Sequence, residues 1–335
     1  MDWTPAGLFT VEAGRLQCAL CPLRCVLDDG EVGRCQVRRR RGDLMETATF
    51  ATSVRHKDAV ERKPFYHYRP GSTALTIAAP GCTFRCDYCV NHRLSQFGRE
   101  GGLPWAATPV DPAGLVASAA AEGASVALSY TEPSLAVELT LALAEYGAAA
   151  GVDVLWKSNG FLTPETTALA APALAAVNID LKAGDEHAHH RVTGAPLRPV
   201  LTTIRAMVEL GVWVEVSTPL IPGCSSEPGQ LSRIARLIAE IDADIPWHLL
   251  RFTPAFQRTG TVPTGPEALR DAVAIGRDAG LRHVYVERAL GATGRATRCP
   301  GCGAEAVRRG VWTTEAVRMT DGRCNACGHR IPGRW

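Results

Sequence analysis

The sequence has no run of roughly 18 or more uncharged apolar residues, so no segment is long enough to form a transmembrane helix. The amino terminus starts with an acidic residue, Asp2, and lacks the basic and apolar segments of a secretory signal. These two absences predict a cytoplasmic protein without a membrane partner. The net charge is only +2, so no surplus of basic residues would draw the chain to nucleic acid.

Positive charge is concentrated at one place, the run Arg38–Arg41. Such runs usually form solvated loops, and that is the prediction here. A contact with an acidic partner is the alternative.

Cysteine is abundant, with twelve residues in a chain that has no export signal. In a reducing compartment such cysteines indicate metal ligation rather than disulfides. Eleven of the twelve fall into three clusters, which strengthens this interpretation. Cys224 stands alone, and we interpret it as an ordinary small residue in a loop.

The cluster around which the chain is organised is Cys82-x3-Cys86-x2-Cys89, which follows an apolar run that predicts a buried strand. Three thiols on one loop can converge, and thiolates are the usual ligands of iron–sulfur clusters. With three ligands for four irons, one iron would stay open for chemistry. A zinc knuckle or a disulfide pair is the alternative, although zinc knuckles favour paired C-x2-C units.

Two further clusters flank this motif. The N-terminal cysteine cluster has four thiols within 18 residues and indicates a small module stabilised by a bound metal. That metal is either zinc or a second iron–sulfur cluster. The C-terminal one has two C-x2-C knuckles and indicates a zinc ribbon. The cysteines of the two clusters are Cys18, Cys21, Cys25 and Cys35, and Cys299, Cys302, Cys324 and Cys327.

Between these modules, apolar strands alternate with amphipathic helices, which is typical of a parallel α/β sheet. About six βα units are too few for a closed eight-stranded barrel, so we expect an open partial barrel with its site at the C-terminal strand ends. The predicted strands are Leu75–Ala79, Ser125–Ser129, Asp153–Lys157, Val177–Leu181, Val212–Ser217, Trp247–Phe252 and His283–Glu287. The predicted helices are Asp111–Ala121, Ser134–Ala149, Pro164–Ala170, Val200–Leu210, Pro228–Glu240 and Pro266–Ala279. Three domains follow: residues 1–66, a Cys-rich module and connector; 67–292, the core; and 293–335, the ribbon.

The C-x3-C-x2-C spacing resembles that of the radical S-adenosylmethionine (SAM) superfamily, in which SAM chelates the open iron. The aromatic Tyr88 before the third cysteine fits that pattern. More specifically, the chain resembles the radical SAM member of the AmmeMemoRadiSam system, a relative of the pyruvate formate-lyase activating enzymes. The matching segments are Cys18–Pro22, Lys63–His67, Gly81–Asn91, Tyr130–Pro133, Ser158–Gly160, Asp180–Lys182, Ile221–Gly223, Pro246–His248 and the terminal ribbon.

The resemblance implies an oxidoreductase with a [4Fe–4S] cluster on the three cysteines and SAM as its second cofactor. Polar residues that follow successive strands would contact SAM: Tyr130, Thr131 and Glu132 at its methionine moiety, Lys182 at its carboxylate, with Ser158, Asn159 and Asp180 beside them. Taken alone, Glu132 could instead be a helix N-terminal carboxylate, and Lys182 with Asp180 a surface ion pair.

Two positions depart from the family pattern. Lys157-Ser158 stands where the activating enzymes have an Asp-Thr pair near a monovalent cation, and we hypothesise that the Lys157 ammonium replaces the cation by pairing with Asp180. Thr253 stands where relatives often have histidine, so a role of that histidine is not transferred.

The leading hypothesis is an enzyme that cleaves SAM reductively and abstracts hydrogen from an unidentified substrate. Activation of a glycyl-radical partner protein is the alternative within this class, and a protein is one candidate substrate. A reductant such as flavodoxin or ferredoxin would supply the electron. The rival classes are a non-enzymatic iron–sulfur electron carrier and a zinc-ribbon nucleic-acid-binding protein, although nucleic acid is not the expected partner.

Overall fold

The alternation of strands and helices predicted from the sequence is present in the structure, a computed structural model that describes residues 2–99, 106–286 and 290–335. The strands are β1 (Thr4–Ala6), β2 (Phe9–Glu12), β3 (Arg15–Cys18), β4 (Val26–Leu27), β5 (Arg38–Arg41), β6 (Leu44–Thr47), β7 (Ala51–Thr52), β8 (Arg55–Ala59), β9 (Thr73–Ile77), β10 (Thr108–Pro109), β11 (Ala124–Leu128), β12 (Val154–Ser158), β13 (Ala176–Asp180), β14 (Trp213–Leu220), β15 (Trp247–Arg251), β16 (Val284–Val286), β17 (Thr297–Arg298), β18 (Glu305–Arg309), β19 (Thr314–Val317), β20 (Met319–Thr320) and β21 (Arg323–Cys324). The helices are α1 (His92–Ser95), α2 (Pro112–Ala121), α3 (Val137–Ala150), α4 (Pro164–Ala170), α5 (Glu186–Thr193), α6 (Arg198–Glu209), α7 (Pro228–Ala239) and α8 (Pro266–Asp278).

The chain divides into two compact units. The first consists of residues 1–58, 73–177 and 198–212, and the second of residues 59–72, 178–197 and 213–335. Among the described residues, no helix is both long and apolar enough to cross a bilayer.

In the first unit, β11 lies between β9 and β12, and all three strands are parallel. All five residues of β11 are buried, which explains why the strand is mostly apolar, with Ser125 its one polar residue. Asp111 caps α2 by accepting hydrogen bonds from the amides of Ala113 and Gly114. Proline occupies the first turn of α4, where its missing N–H costs nothing, as predicted.

The N-terminal residues of this unit form two small antiparallel sheets, ordered β2-β3-β4 and β1-β6-β5. The prediction of a solvated loop at Arg38–Arg41 is wrong, because these residues form β5. Arg38 is buried, forms an ion pair with Glu138 of α3 and donates to the carbonyl of Gly7. This pairing offsets the cost of burying the guanidinium, an arrangement that a count of charges along the sequence does not reveal.

In the second unit, β15 lies between β14 and β16, again in parallel. Helix α8 packs closely on Trp247 of β15. At Gly276 of this helix, an added Cβ would lie only 2.9 Å from the indole ring. The predicted strand His283–Glu287 is observed as Val284–Val286, and Glu287 lies outside the described residues.

The sequence did not predict α5, although Asp185 caps it by accepting from the amide of Ala188 and Gly194 ends it in the left-handed conformation. Its polar, histidine-rich sequence lacks the apolar spacing on which the other helix predictions depended. Cys224 is buried in the loop before α7, as its interpretation as a small loop residue required.

The segment 63–68 belongs to the second unit, where the ring of Tyr66 packs on His248 and Tyr285. The same unit contains the terminal module, in which β17-β18-β19 and β20-β21 are short antiparallel sheets. Ala306 and Ile331 form its small core together with two of its cysteines.

Candidate functional site

The three-cysteine loop follows β9 at its C-terminal end, as the sequence predicted. Cys86 and Tyr88 are buried, and Cys82 and Cys89 are partly exposed. Gly81, directly before the first cysteine, has φ +92°, a conformation that residues with a side chain rarely adopt. The loop therefore turns sharply out of the strand before it presents its thiols.

Cys82 is held by groups from three parts of the first unit. The side-chain amide of Asn159 donates to its Sγ at 3.7 Å, and the amide N–H of Phe84 donates at 3.4 Å. Arg99 donates to the carbonyl oxygen of Cys82 and, at 3.0 Å, to that of Phe84. Donors to a ligating sulfur are one means by which proteins set the potential of an iron–sulfur cluster.

Burial raises the pKa of Cys82 above its usual range, and the negative charges of Glu132 and the two neighbouring thiols add to the effect. Such a thiol stays protonated in the absence of metal. A cationic cluster would supply the opposing charge, so loading the loop would release protons.

Glu132 lies at the C-terminal end of β11 and is 1% exposed. Its Oε1 accepts from the amide of Ser134 at 3.0 Å and from the hydroxyl of Ser158 at 2.7 Å, and its Oε2 accepts from the amide of Asn159 at 2.7 Å. Burial raises its pKa, and these three donors oppose that shift. The carboxylate thus connects the ends of two neighbouring strands and also caps the turn that follows.

Asn159 completes this link, because its side-chain amide also donates to the hydroxyl of Thr83 at 2.9 Å. The structure therefore brings together Cys82, Glu132, Ser158 and Asn159, four of the residues that the sequence placed in one site.

Tyr130 and Thr131 have different surroundings. Tyr130 has φ +72°, and its hydroxyl lies 2.9 Å from Nε2 of His56, which also contacts Asp58. The Thr131 hydroxyl donates to the carbonyl of Ala79, on the segment that leads to the three-cysteine loop. Thr131 is thus tied to the loop, whereas the hydroxyl of Tyr130 is directed to His56.

In the second unit, Lys182 and Asp180 form an ion pair with Nζ 2.9 Å from Oδ2. Their side chains are 11% and 21% exposed, so the pair is largely buried rather than a surface pair. Thr253 is exposed just after β15. The pairing of Lys157 with Asp180 stays a hypothesis.

The N-terminal cysteines lie close together in the first unit. The amide of Cys18 donates to the carbonyl of Cys25 at 2.8 Å across the β3–β4 hairpin, and a Cβ at Gly33 would lie 3.8 Å from Cys25 Sγ. Burial raises the pKa of Cys21, and the charges of the other three thiols raise it further. Burial likewise raises the pKa of Cys35 to about 11.

The terminal cysteines form the tightest group. Sγ atoms of Cys299 and Cys327 lie 3.6 Å apart, those of Cys302 and Cys324 lie 3.9 Å apart, and all four lie within 4.8 Å of one another. Tetrahedral zinc with bonds of about 2.3 Å requires edges of about 3.8 Å. This set could therefore bind a single zinc ion.

Sequence reasoning missed three residues of the first site: Thr83, Arg99 and His56. Thr83 lies inside the cysteine motif and could have been suspected from its position. Arg99 and His56 contact Cys82 and Tyr130 across 17 and 74 residues of sequence. No local pattern signals contacts of that separation.

Residues 76–230 match the model of the Radical SAM superfamily. This segment is similar to a radical SAM domain, and it contains all three cysteines of the loop after β9. The structure of Streptococcus suis SuiB bound to S-adenosylmethionine has the same fold, with a TM-score of 0.50 and 12% identity over 68% of this chain and 52% of SuiB. The fold class is therefore radical SAM α/β with a partial, barrel-like parallel sheet, as predicted from the sequence.

Two curated proteins are similar in sequence. An uncharacterized protein of Methanocaldococcus jannaschii, MJ0808, is 28% identical over 326 residues, which cover 96% of both chains. The isethionate sulfite-lyase activating enzyme of Nitratidesulfovibrio vulgaris is 29% identical over 136 residues, which cover 39% of this chain and 44% of that enzyme.

Proposed function

We propose that this protein is a radical SAM oxidoreductase whose Cys82, Cys86 and Cys89 hold a [4Fe–4S] cluster. The observation that carries the proposal is the loop after β9, which presents these three thiols within a segment that matches the superfamily model. When bound, the cluster and SAM supply the difficult chemistry, a one-electron cleavage of SAM to methionine and a 5′-deoxyadenosyl radical that abstracts hydrogen from a substrate.

The residues around the loop fit such a cluster. Cys82 receives hydrogen bonds on sulfur from Asn159 and from the amide of Phe84, as iron–sulfur ligands commonly do. Cys89 Sγ lies 3.3 Å from the hydroxyl of Ser95, a further polar neighbour for a ligating sulfur. Cys86 and Tyr88 are buried, which limits the access of water.

Glu132 is the proposed acceptor for the ammonium group of SAM. A carboxylate offers about four lone-pair sites, and three are occupied by the amides of Ser134 and Asn159 and the hydroxyl of Ser158. The hydroxyl of Ser134 also contacts this carboxylate. We propose that the ammonium of SAM shares the acceptor with the donors that cap the turn.

Lys182 is the proposed partner of the SAM carboxylate. Its Nζ donates to Oδ2 of Asp180 at 2.9 Å, a contact that fixes the position of the ammonium. Tyr130 and Thr131 are proposed to line the methionine moiety. The hydrogen bond from Thr131 to the carbonyl of Ala79 would fix that wall relative to the three-cysteine loop.

The test is an anaerobic assay of protein reconstituted with iron and sulfide and supplied with dithionite and SAM. We expect 5′-deoxyadenosine from the wild type and from Cys224→Ala, a matched buried cysteine, and none from Cys86→Ala. Equal, background-level product from the wild type and Cys86→Ala would refute the proposal and favour an electron carrier.

Glu132→Gln separates binding from cluster assembly in the same preparation. Loss of one charge-assisted hydrogen bond of roughly 1.5–3 kcal/mol should weaken SAM binding by about 10- to 150-fold, with iron content unchanged. Equilibrium dialysis of SAM measures this effect. Wild-type affinity in the variant would remove Glu132 from the SAM site.

We further propose that the chain is the radical SAM member of the AmmeMemoRadiSam system, with a reductant such as flavodoxin or ferredoxin. The partial similarity to an activating enzyme favours a second candidate function, radical formation on a glycine of a partner protein. A glycyl-radical signal in electron paramagnetic resonance (EPR) spectra of the partner after incubation with SAM would support this function. Deoxyadenosine formation without that signal would favour another substrate.

A further inference from the structure

The N-terminal cysteines form a built site rather than four separate thiols. Cys18, Cys21 and Cys35 are buried and Cys25 is half-buried. The β3–β4 hairpin places Cys18 beside Cys25, and the turn at Gly33 covers the Cys25 sulfur. Thiols that are buried together in this way are suited to a cationic metal centre.

The spacing of these thiols differs from that of the terminal set. In the described part of the chain, only the terminal four bring three or more ligand atoms within 4.8 Å of one another. The N-terminal four, all of them described, are therefore spread more widely than one tetrahedral zinc requires. The same wider spacing holds for Cys82, Cys86 and Cys89, the proposed ligands of a four-iron cluster. In such a cluster each thiolate binds its own iron, so neighbouring sulfurs stand farther apart than around a single ion.

The module also abuts the loop that carries Cys82. The carbonyl of Cys35 and a methyl group of Val37 each lie 2.9 Å from the position of a Cβ on Gly81, so only glycine fits there. Arg99 connects the same two segments, since its guanidinium donates to the carbonyl of Cys82 and, at 3.3 Å, to that of Arg34. A second anchor joins the hydroxyls of Thr163 and Thr166 to the carbonyls of Ala19 and Leu20, each at 2.7 Å.

We propose that Cys18, Cys21, Cys25 and Cys35 bind a second iron–sulfur cluster, of the four-iron class, built directly against the three-cysteine loop. The inference goes beyond the proposed SAM chemistry and does not depend on it, because the site is complete without SAM. The terminal set would hold the zinc of the chain and the two other sets its iron.

The experiment uses the full chain with Cys82, Cys86 and Cys89 all changed to Ala, which removes the first cluster. After anaerobic reconstitution with iron, sulfide and zinc, we expect about four irons and about four sulfides per chain to remain, together with one zinc. An iron–sulfur EPR signal should appear after reduction with dithionite. A protein that holds two zinc ions and only background iron would overturn the proposal.

Two variants of this triple mutant locate the cluster. Adding Cys18→Ala and Cys21→Ala should abolish the remaining iron and the EPR signal and leave zinc bound, whereas adding Cys224→Ala should change neither. If the first variant fails to fold, Cys25→Ala at the half-exposed ligand is the milder change and should shift the EPR signal or lower its intensity. Iron and signal that persist unchanged in either cysteine variant would remove these residues from the site. Because no readout requires SAM cleavage, failure here is distinguishable from failure of the proposed function.

Discussion

Replacing Glu215 with Gln should release the segment that carries Tyr66 and His67. Glu215 is fully buried in β14, and its carboxylate accepts from the backbone amide of His67 at 2.8 Å and from that of Tyr66 at 3.0 Å. It also accepts from the indole N–H of Trp213 at 3.0 Å and lies 2.6 Å from Nε2 of His248. One side chain thus serves four neighbours in the second unit.

The side-chain NH2 introduced by Gln is a donor, so it clashes with any of the N–H groups that now donate to the carboxylate. The arrangement with the fewest conflicts directs this NH2 toward Nε2 of His248, because the imidazole can change tautomer and accept a hydrogen bond there. The contacts to Tyr66, His67 and Trp213 then survive as neutral hydrogen bonds. Because a charged hydrogen bond contributes roughly 1 kcal/mol more than a neutral one, the loss is about 3 kcal/mol for the three contacts.

Amide hydrogen exchange on peptides covering residues 59–72 measures this loss of hydrogen-bond free energy directly in the segment that carries Tyr66 and His67. A change of about 3 kcal/mol corresponds to a fall of about 150-fold in the protection of the Tyr66 and His67 amides. Glu267→Gln, at an exposed position in the first turn of α8, is the matched control and should leave protection unchanged. Protection within about threefold of wild type in Glu215→Gln would refute the view that the buried charge holds this segment.

Two further predictions concern pH and zinc. Burial lowers the pKa of His283 to about 4, so between pH 4 and about 6.5 the unfolded chain binds a proton at this position that the folded chain does not. The free energy of unfolding should therefore fall as the pH decreases in that window, by about 1.4 kcal/mol per pH unit for this histidine. In urea titrations at several pH values, His283→Gln should reduce the slope of the unfolding free energy against pH by that amount. An unchanged slope would mean that His283 is already protonated in the folded state. Cys302→Ser should lose zinc and keep all iron in metal analysis, whereas loss of iron would contradict the ribbon assignment.

The sequence predicted most of the core elements, because strands buried on both faces and capped helices leave local patterns. The predicted helix Pro164–Ala170 has the observed bounds, and β11 is displaced by one residue from its predicted bounds, Ser125–Ser129. The failures occurred where a distant partner decides the structure. Arg38 is buried because Glu138, a hundred residues away, neutralises it, and the run of four arginines contains no trace of that partner.

The sequence indicated which polar residues follow the ends of the strands, but not how their side chains are connected. The polar residues at the strand ends were identifiable because parallel strands bring their C-terminal ends to one edge. The sequence did not show that the carboxylate of Glu132 would accept hydrogen bonds from Ser158 and Asn159. Nor did it show that Arg99 would donate to the carbonyl of Cys82. Such hydrogen bonds depend on side-chain directions that are fixed only after the sheet has formed.

The short stretch from Ser158 to Thr166 has a consequence for protein engineering. Its first residues support Glu132, and its last ones anchor the carbonyls of Ala19 and Leu20. Because the acceptors are main-chain carbonyls, an amino-terminal portion grafted from a homologue would keep these contacts whatever side chains it has at positions 19 and 20. Exchanges at Thr163 and Thr166, by contrast, should remove them.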